Sequence, residues 1–218
     1  MNMTKITLTS LSTLLALTLC FLGCNGVRGS GTLKTESREI GSFTEVEVSG
    51  AFVVRITQGD QPSLQLQGDD NLLELVSTDV SGSRLSIDTT ESVRQNLPLE
   101  IDIVMATLEE LAVSGAAEVT IVDLRSETFS FDCSGACRAQ ISGQTQRAHV
   151  VVSGAGTVNA LELHSNIAEV TISGAGRVSI CADEQIDASV EGAGRIQYAC
   201  DPEQVNTSVD GVGEIEAL

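Results

Sequence analysis

Hydrophobic and polar residues alternate in short runs through the second half of the chain, and a glycine motif interrupts each run. After the motif that begins at Ser153, apolar Val158 and Ala160 alternate with polar residues, and the run before it alternates in the same way at Val150 and Val152. A period of two places successive side chains on opposite faces of a β-strand. The pattern therefore predicts a pair of short strands around every motif, each with one buried face.

The glycine motif occurs six times at nearly even spacing. Its copies begin at Ser114, Ser134, Ser153, Ser173, Glu191 and Asp210, which are 20, 19, 20, 18 and 19 residues apart. One repeat cannot bury its apolar face alone, whereas stacked repeats bury a continuous core. We therefore predict an all-β fold, a single-stranded β-helix or β-solenoid with coils of 19–20 residues and Ser-Gly-Ala-Gly turns. Glycine is expected in these turns because it adopts positive φ without steric cost.

Equivalent residues of stacked coils would form columns along the solenoid axis, about 4.8 Å apart. Two columns are predicted to point inward: Val119, Ala139, Val158, Val178, Ile196 and Ile215, and Cys133, Val152, Ile172, Val190 and Val209. Two are predicted to point outward: Thr120, Gln140, Asn159, Ser179 and Gln197, and Asp132, Val151, Thr171, Ser189 and Ser208. Such flat strips suit repetitive contact with a glycan, an envelope protein or a second copy of the chain, although every soluble solenoid needs a polar exterior.

The segment 37–112 is less regular but also favours strands. Alternation predicts strands at residues 43–48, 52–56, 64–66, 85–87 and 99–104. Residues 72–76 carry bulkier apolar side chains and are predicted to form a helical turn or a strand. This piece would cap the first rung, since an open end would recruit other chains.

The start of the chain has the features of an export signal. An apolar run at residues 6–21 follows Lys5, is shorter than the roughly 20 residues of a spanning helix, and leads into Gly23-Cys24. A small residue before a cysteine resembles the lipobox of bacterial lipoproteins, although Phe21 stands where leucine is usual. The resemblance implies acylation of Cys24 and a lipid anchor in the membrane. The alternative is plain secretion, with Cys24 as an ordinary thiol.

The chain is thus predicted to have three parts. Residues 1–23 form a lipoprotein signal peptide, residues 24–35 form a flexible tether rich in glycine and serine, and residues 36–218 form the solenoid domain. Asn25 follows the cysteine where an aspartate would retain the protein in the inner membrane. By resemblance to Gram-negative sorting, this predicts an outer-membrane lipoprotein of the cell envelope.

Composition narrows the function further. The chain is 42% hydrophobic but only 3% aromatic and has no tryptophan, which favours a narrow, layered core of aliphatic side chains. Its formal net charge is -18 at pH 7, so its field repels nucleic acid. We expect no nucleic-acid partner and no cofactor.

Four cysteines lie beyond the leader and the lipid site. Cys181 and Cys200 are 19 residues apart, which is one repeat, and Cys133 and Cys137 bracket one glycine motif. Three pairings of these four cysteines are formally possible. The pairing that fits the repeat best joins Cys181 to Cys200 on adjacent rungs and Cys133 to Cys137 across the turn. A metal site is the competing hypothesis. It is disfavoured because no histidine stands in register with these cysteines.

No catalytic residue is predicted. His149 occupies an outward strand position and His164 a connecting turn, and neither has a nucleophile placed beside it by the repeat. A solenoid glycosidase or lyase would need paired carboxylates on one face. The candidates are Asp102, Asp132, Glu169 and Asp187, and the last two do not share a column with Asp132.

One ion contact is a candidate. Glu191 and Asp210 occupy the same position of successive motifs, and Ca²⁺ prefers carboxylate oxygens. The alternative is that Arg177 and Arg195, one turn away, neutralise this pair. No other metal is predicted.

The motifs together resemble one known family. The Ser-Gly-Ala-Gly turns, the segment Arg38-Glu39-Ile40-Gly41-Ser42-Phe43 and the segments 46–52 and 54–60 resemble the head GIN domain family of putative auto-transporter adhesins, over residues 36–218. The resemblance implies a β-helix similar in outline to pectin-lyase-like solenoids, no established catalytic residues, and an adhesive role. Three functions stay open: an adhesion or scaffolding module, an accessory lipoprotein that acts through a protein partner, and a carbohydrate-active enzyme.

Overall fold

The structure, a computed structural model, describes residues 26–218 and contains 17 β-strands and one short α-helix in that range. The strands are β1 (Val27–Arg28), β2 (Leu33–Arg38), β3 (Glu45–Val48), β4 (Val53–Gln58), β5 (Ser63–Asp69), β6 (Val76–Ser81), β7 (Arg84–Thr89), β8 (Val93–Arg94), β9 (Glu100–Met105), β10 (Glu110–Val113), β11 (Ala116–Cys133), β12 (Ala136–Val152), β13 (Thr157–Ile172), β14 (Arg177–Val190), β15 (Arg195–Ala199), β16 (Gln204–Val209) and β17 (Glu214–Ala217). The helix α1 (Asp70–Leu73) joins β5 to β6. Cys24 and the predicted signal peptide lie outside the described residues.

Parallel stacking of coils builds the C-terminal two thirds of this structure. Each of β11 to β14 runs through most of one coil, and each pairs in parallel with the next, from Ala116↔Ala136 to Cys133↔Val152 in the first such pair. We call the strand segments before each glycine motif the pre-motif face and those after it the post-motif face. The predicted all-β solenoid is confirmed.

The predicted inward columns are the core of the stack. Val119 pairs in register with Ala139, and the series continues through Val158, Val178 and Ile196, all at most 1% exposed. The second column is equally buried from Cys133 to Val190. Each buried Val, Leu or Ile contributes about 1.5–3 kcal/mol. Val209, in the last rung that the structure describes, is 47% exposed.

The glycine motifs need glycine for a reason other than the predicted one. Among the six first glycines only Gly211 has φ in the left-handed region. A Cβ on Gly135 would instead lie 2.0 Å from the carbonyl oxygen of Gly115 in the preceding rung, and a Cβ on Gly154 would lie 2.0 Å from that of Gly135. The same carbonyls accept the N–H groups of the following alanines, at 3.0 Å in both cases. Close backbone stacking, rather than positive φ, therefore selects glycine at most copies.

The N-terminal third departs from simple stacking. The coil made of β3 and β4 lies between two others, because β3 pairs in parallel with β7 and β10 and β4 pairs in parallel with β9 and β11. At the free end β6, β5 and β2 add antiparallel strands. In α1, Leu72 and Leu73 are fully buried against this end, so the predicted capping role of residues 72–76 is confirmed.

The flexible tether predicted over residues 24–35 is wrong for residues 26–35, the part that the structure describes. The Val27 N–H donates to the Ser92 carbonyl at 2.8 Å, and β2 pairs antiparallel with β5 from Leu33 onward. Gly26 permits this packing, since a Cβ there would lie 2.8 Å from the same Ser92 oxygen. The glycines of this segment serve close backbone approach rather than flexibility.

Asp69 holds this N-terminal segment with its buried carboxylate. Its oxygens accept N–H groups from Gly31 at 2.7 Å, Asn96 at 2.9 Å and Leu97 at 3.0 Å. Burial raises the pKa of Asp69, but these three backbone hydrogen bonds outweigh burial and leave the pKa below its usual value. The ionised carboxylate therefore ties the N-terminal segment to the loop before β9.

We expect Asp69→Asn to lower Tm at pH 7 by a few degrees, because the amide cannot accept all three N–H groups. Because the pKa of Asp69 is lower in the folded state, its ionised carboxylate stabilises the fold fully at pH values above the unfolded pKa of about 3.9. This stabilisation is lost as pH falls through the folded-state pKa. Thermal unfolding followed by circular dichroism from pH 7 to pH 2 should show less acid destabilisation in the variant. The control is Asp60→Asn at an exposed loop carboxylate; equal pH profiles for the two variants would contradict the assignment.

Candidate functional site

The two predicted outward columns are confirmed, and a third column of interest lies beside the first. On the post-motif face Thr120, Gln140, Asn159, Ser179 and Gln197 are in register. Two residues earlier in each rung lies a column with the order Glu118, Arg138, Thr157, Arg177, Arg195 and Glu214. We call the four central rungs of these two columns the arginine–amide strip: Arg138, Thr157, Arg177, Arg195, Gln140, Asn159, Ser179 and Gln197.

The arginine–amide strip contains no carboxylate. Glu118 borders it on the N-terminal side and Glu214 and Glu216 on the C-terminal side. Arg195 pairs with Glu214 at 2.8 Å and with Glu216 at 3.7 Å. Arg138 and Arg177 are exposed and have no ion pair with any residue in the range 26–218. Two guanidinium groups are thus available to an external acceptor.

A shallow groove of about 380 Å³ runs beside the strip at the glycine edge. Its walls are the side chains of Thr157, Arg177 and Arg195 and the alanine and glycine motif residues, and Val212 and Glu214 line its C-terminal end. Because the motif residues are alanine and glycine, little side-chain bulk stands between a ligand and the stacked backbone. Guanidinium forks bind carboxylates in a bidentate manner, and amide side chains both donate and accept hydrogen bonds. The strip can therefore bind an extended ligand with acidic and hydroxyl groups.

The carboxylates of the enzyme hypothesis do not form one site. Asp102 is on the post-motif face, where Arg55 contacts it at 2.6 Å, whereas Asp132 lies on the pre-motif face in register with Val151. Glu169 and Asp187 are neighbours in a different column, as predicted. Each has its own partner: His149 lies 3.3 Å from Glu169, and side-chain amides donate to Asp187. These contacts are those of cross-rung pairs on a solvated sheet.

An ion cluster at the N-terminal end also links rungs. Arg84 contacts Glu45 and Glu110 at 2.9 Å each, and Glu47 at 3.8 Å. Hydrogen bonds from Ser83 and then Arg84 lower the pKa of Glu45, and the same cluster raises the pKa of Arg84. Glu45 and Arg84 therefore stay charged at neutral pH, and the contacts of Arg84 tie strands β3, β7 and β10 together.

Glu191 and Asp210 lie at neighbouring positions of adjacent rungs, and both are exposed. The predicted neutralisation by Arg177 and Arg195 is wrong, since Arg195 pairs instead with the glutamates of the last rung and Arg177 has no ion pair in the described range. An ion contact at Glu191 and Asp210 stays a prediction.

Both predicted disulfides are confirmed. Cys133 and Cys137 are bonded across their turn with a Cα separation of 6.3 Å, and Cys181 and Cys200 are bonded between rungs with a Cα separation of 5.3 Å. One premise was wrong: His164 does stand in register with Cys181, because the register shifts between Ala160 and His164.

The arginine column is the feature that the sequence analysis missed. Arg177 and Arg195 directly follow their motifs, and Arg138 occupies the equivalent position two rungs earlier. The repeat spacing alone would have aligned them. The predicted outward column of small polar residues lies two positions further on.

Comparison with known proteins agrees with this fold. A putative adhesin from Bacteroides fragilis superimposes with a TM-score of 0.73 and 25% identity, over 88% of this chain and 100% of that one. A putative adhesin from Parabacteroides merdae gives a TM-score of 0.56 at 19% identity, over 88% and 99% of the two chains. A putative lipid binding protein from Parabacteroides distasonis gives 0.54 at 22% identity, with the same coverage. The last two likenesses concern the fold alone.

No curated protein matches the chain. None of the helices within residues 26–218 is long and apolar enough to cross a membrane. The profile of one family, described as putative auto-transporter adhesin, head GIN domain, matches residues 42–202, which include five of the six glycine motifs. The chain therefore belongs to the head GIN domain family of putative auto-transporter adhesins.

Proposed function

We propose that this protein is a non-catalytic binding module, anchored in the outer membrane through Cys24, whose arginine–amide strip contacts an acidic glycan. The observation that supports this proposal best is the strip itself. The chain has 30 acidic residues, yet four consecutive rungs of two adjacent columns carry none and present three arginines. The family's adhesive description agrees with a binding role.

The strip has the dimensions of an extended site. Strands in a sheet are about 4.8 Å apart, so the two available arginines, Arg138 and Arg177, two rungs apart, are separated by about 10 Å along the axis. A polymer with regularly placed carboxylates can contact both arginine ends while its hydroxyl groups meet the amides between them. Repetition of weak contacts along one polymer raises the overall affinity without an enclosed pocket.

The net charge of -18 does not exclude an acidic ligand. The Debye length is about 8 Å at physiological ionic strength, so carboxylates on the pre-motif face are largely screened from a ligand on the post-motif face. Contacts made directly to the guanidinium groups are screened far less. The local composition of the strip therefore decides which ligand binds.

A non-catalytic role is supported by the distribution of acidic side chains. Asp102 and Asp132 lie on different faces, and Glu169 and Asp187 are held by neighbouring side chains. A retaining or inverting glycosidase needs two carboxyl groups that flank one bond. The carbohydrate-active enzyme is accordingly the less favoured hypothesis.

We expect the double variant Arg138→Gln/Arg177→Gln to bind an acidic polysaccharide at least about tenfold more weakly than the unmodified protein. Each substitution removes one charge-assisted fork, and tenfold in Kd corresponds to about 1.4 kcal/mol. Binding to immobilised polygalacturonate, with neutral dextran as the reference surface, measures the effect.

The matched control is Arg125→Gln/Arg147→Gln. It removes the same charge from two exposed arginines outside the strip. Equal losses in the two double variants would show a general charge effect, and failure of the unmodified protein to bind any acidic glycan would reject the assigned ligand.

A further inference from the structure

We propose that reduction of the Cys181–Cys200 disulfide turns this part of the solenoid into a binding site for Zn²⁺ or a similar thiolate-preferring cation. Four potential ligand atoms meet there, from His164, Cys181, Asp183 and Cys200, and all lie within 4.8 Å of one another. Two thiolates, one imidazole and one carboxylate are a ligand set that zinc accepts.

The repeat and one irregularity bring these residues together. Cys181 and Cys200 lie one rung apart, which is why they bond. In β13 the register shifts between Ala160 and His164. This shift places His164, which lies on the rung before that of Cys181, in register with Cys181. Asp183 is two residues beyond Cys181 on the same strand, so its side chain points to the same side as that of Cys181.

The present distances already approach those between the ligands of a tetrahedral site. The Sγ of Cys181 lies 3.4 Å from Nδ1 of His164 and 3.8 Å from Oδ1 of Asp183, and Nδ1 and Oδ1 are 3.9 Å apart. Tetrahedral zinc with bonds of about 2.3 Å to sulfur and about 2.0–2.2 Å to nitrogen and oxygen separates its ligands by about 3.4–3.6 Å. Small side-chain rotations are therefore sufficient for these three ligands.

Both cysteine ligands require the redox step, because their sulfurs are bonded to each other in the oxidised protein. A dithiol reductant attacks Sγ of Cys200, the exposed residue of the pair, the bond to Cys181 breaks, and the second thiol of the reductant resolves the mixed disulfide. Two electrons and two protons pass to the cysteine pair, and the reductant leaves as its own disulfide. Metal binding then releases both thiol protons, which leaves two thiolates on the cation.

The site is open to solvent on one side. The side chains of His164 and Asp183 are 57% and 45% exposed, while Cys181 is buried. A cation can therefore reach the ligands without unfolding of the coil. The Cys133–Cys137 pair has no such neighbours in the described residues and is buried within its turn, so it is not part of any comparable cluster.

Cobalt titration of the reduced protein tests the proposal. The background variant Cys133→Val/Cys137→Ala removes the second thiol pair. Each cysteine is replaced by the residue type that stands in register beside it, valine as at Val152 and alanine as at Ala117. After reduction with dithiothreitol and anaerobic desalting, we expect one Co²⁺ per chain, with thiolate charge-transfer and tetrahedral d–d absorption. The oxidised protein should show neither band.

Two histidine variants separate this site from adventitious binding. His164→Ala should weaken Co²⁺ binding at least about tenfold, whereas His149→Ala, at a histidine far from any cysteine in the sheet register, should leave it unchanged. Zn²⁺ should also slow alkylation of Cys200 in the reduced protein, and His164→Ala should remove this protection.

Three results would overturn the proposal. They are equal affinities in the two histidine variants, equal binding before and after reduction, and a reduced protein whose far-ultraviolet circular dichroism is lost and not restored by Zn²⁺. None of these results depends on the glycan proposal, since the arginine–amide strip is not part of the cluster.

Discussion

Gly154→Ala is expected to destabilise the protein by about 3 kcal/mol or more. The added Cβ would lie 2.0 Å from the carbonyl oxygen of Gly135 and 2.6 Å from that of Ser134, and both are backbone atoms. Neither can move independently, because the Gly135 carbonyl accepts the Ala155 N–H at 3.0 Å and the rungs on both sides fix the turn. Overpacking of a rigid interior costs about 1–3 kcal/mol and occasionally more, and a backbone clash belongs to the upper end. Denaturant unfolding monitored by circular dichroism measures the loss.

Gly41→Ala is the matched control for this effect. No atom lies within 4 Å of a Cβ built there, and the φ of Gly41 is outside the left-handed region. The same substitution should therefore be neutral or slightly stabilising, since alanine restricts the unfolded chain more than glycine does. If both variants unfold at the same denaturant concentration, the stacked glycines are not what holds the rungs at their spacing.

The regular coils could be predicted because each one repeats the same alternation of apolar and polar residues around a glycine motif. The spacing of the motifs fixes which residues stack, and alternation fixes which of them face inward, so columns such as Val158, Val178 and Ile196 follow from the sequence. A register error by one residue would turn every apolar side chain outward, which makes the alignment strongly determined.

The N-terminal third could not be predicted to the same degree. Its order depends on long-range pairing, with β3 between β7 and β10, and no local pattern encodes which strands become neighbours. Strands β1 and β8 have only two residues each and β2 is largely exposed, so alternation gives no signal there. The composition of residues 26–35 favours a linker, and its packing depends on partners distant in the sequence, such as Ser92 and Asp69.

The clustering of His164 with Cys181 shows a second limit. Coils of 18 to 20 residues place their extra residues in irregular turns, and the register shift after Ala160 moves His164 opposite Cys181. Counting along the repeat cannot locate such a shift, because the sequence does not mark which residue leaves the ladder. The arginine column, in contrast, lies immediately after the motif, where the register is regular.

Cys24, the predicted acylation site, lies outside the described residues. We expect Cys24→Ser to move the protein almost entirely from the membrane fraction to the soluble fraction, because a serine cannot carry the thioether-linked lipid. A single acyl chain anchors a protein only marginally, whereas several bury enough CH₂ groups, at about 0.8 kcal/mol each, for stable attachment. Fractionation with immunoblotting and intact-mass analysis of the membrane form measure both location and acylation.

Cys20→Ser is the control, since it changes a cysteine in the apolar run before Cys24 without touching the predicted acylation site. Membrane retention of the Cys24→Ser variant, or a soluble unmodified protein, would reject the anchor. The anchor would also orient the solenoid, because only two residues, Asn25 and Gly26, lie between Cys24 and Val27, whose N–H is already bonded to Ser92. Three Cα–Cα steps span at most about 11 Å, so an acylated Cys24 would hold the capped N-terminal end at the membrane surface. The arginine–amide strip, in the later rungs, would then project away from the membrane towards its ligand.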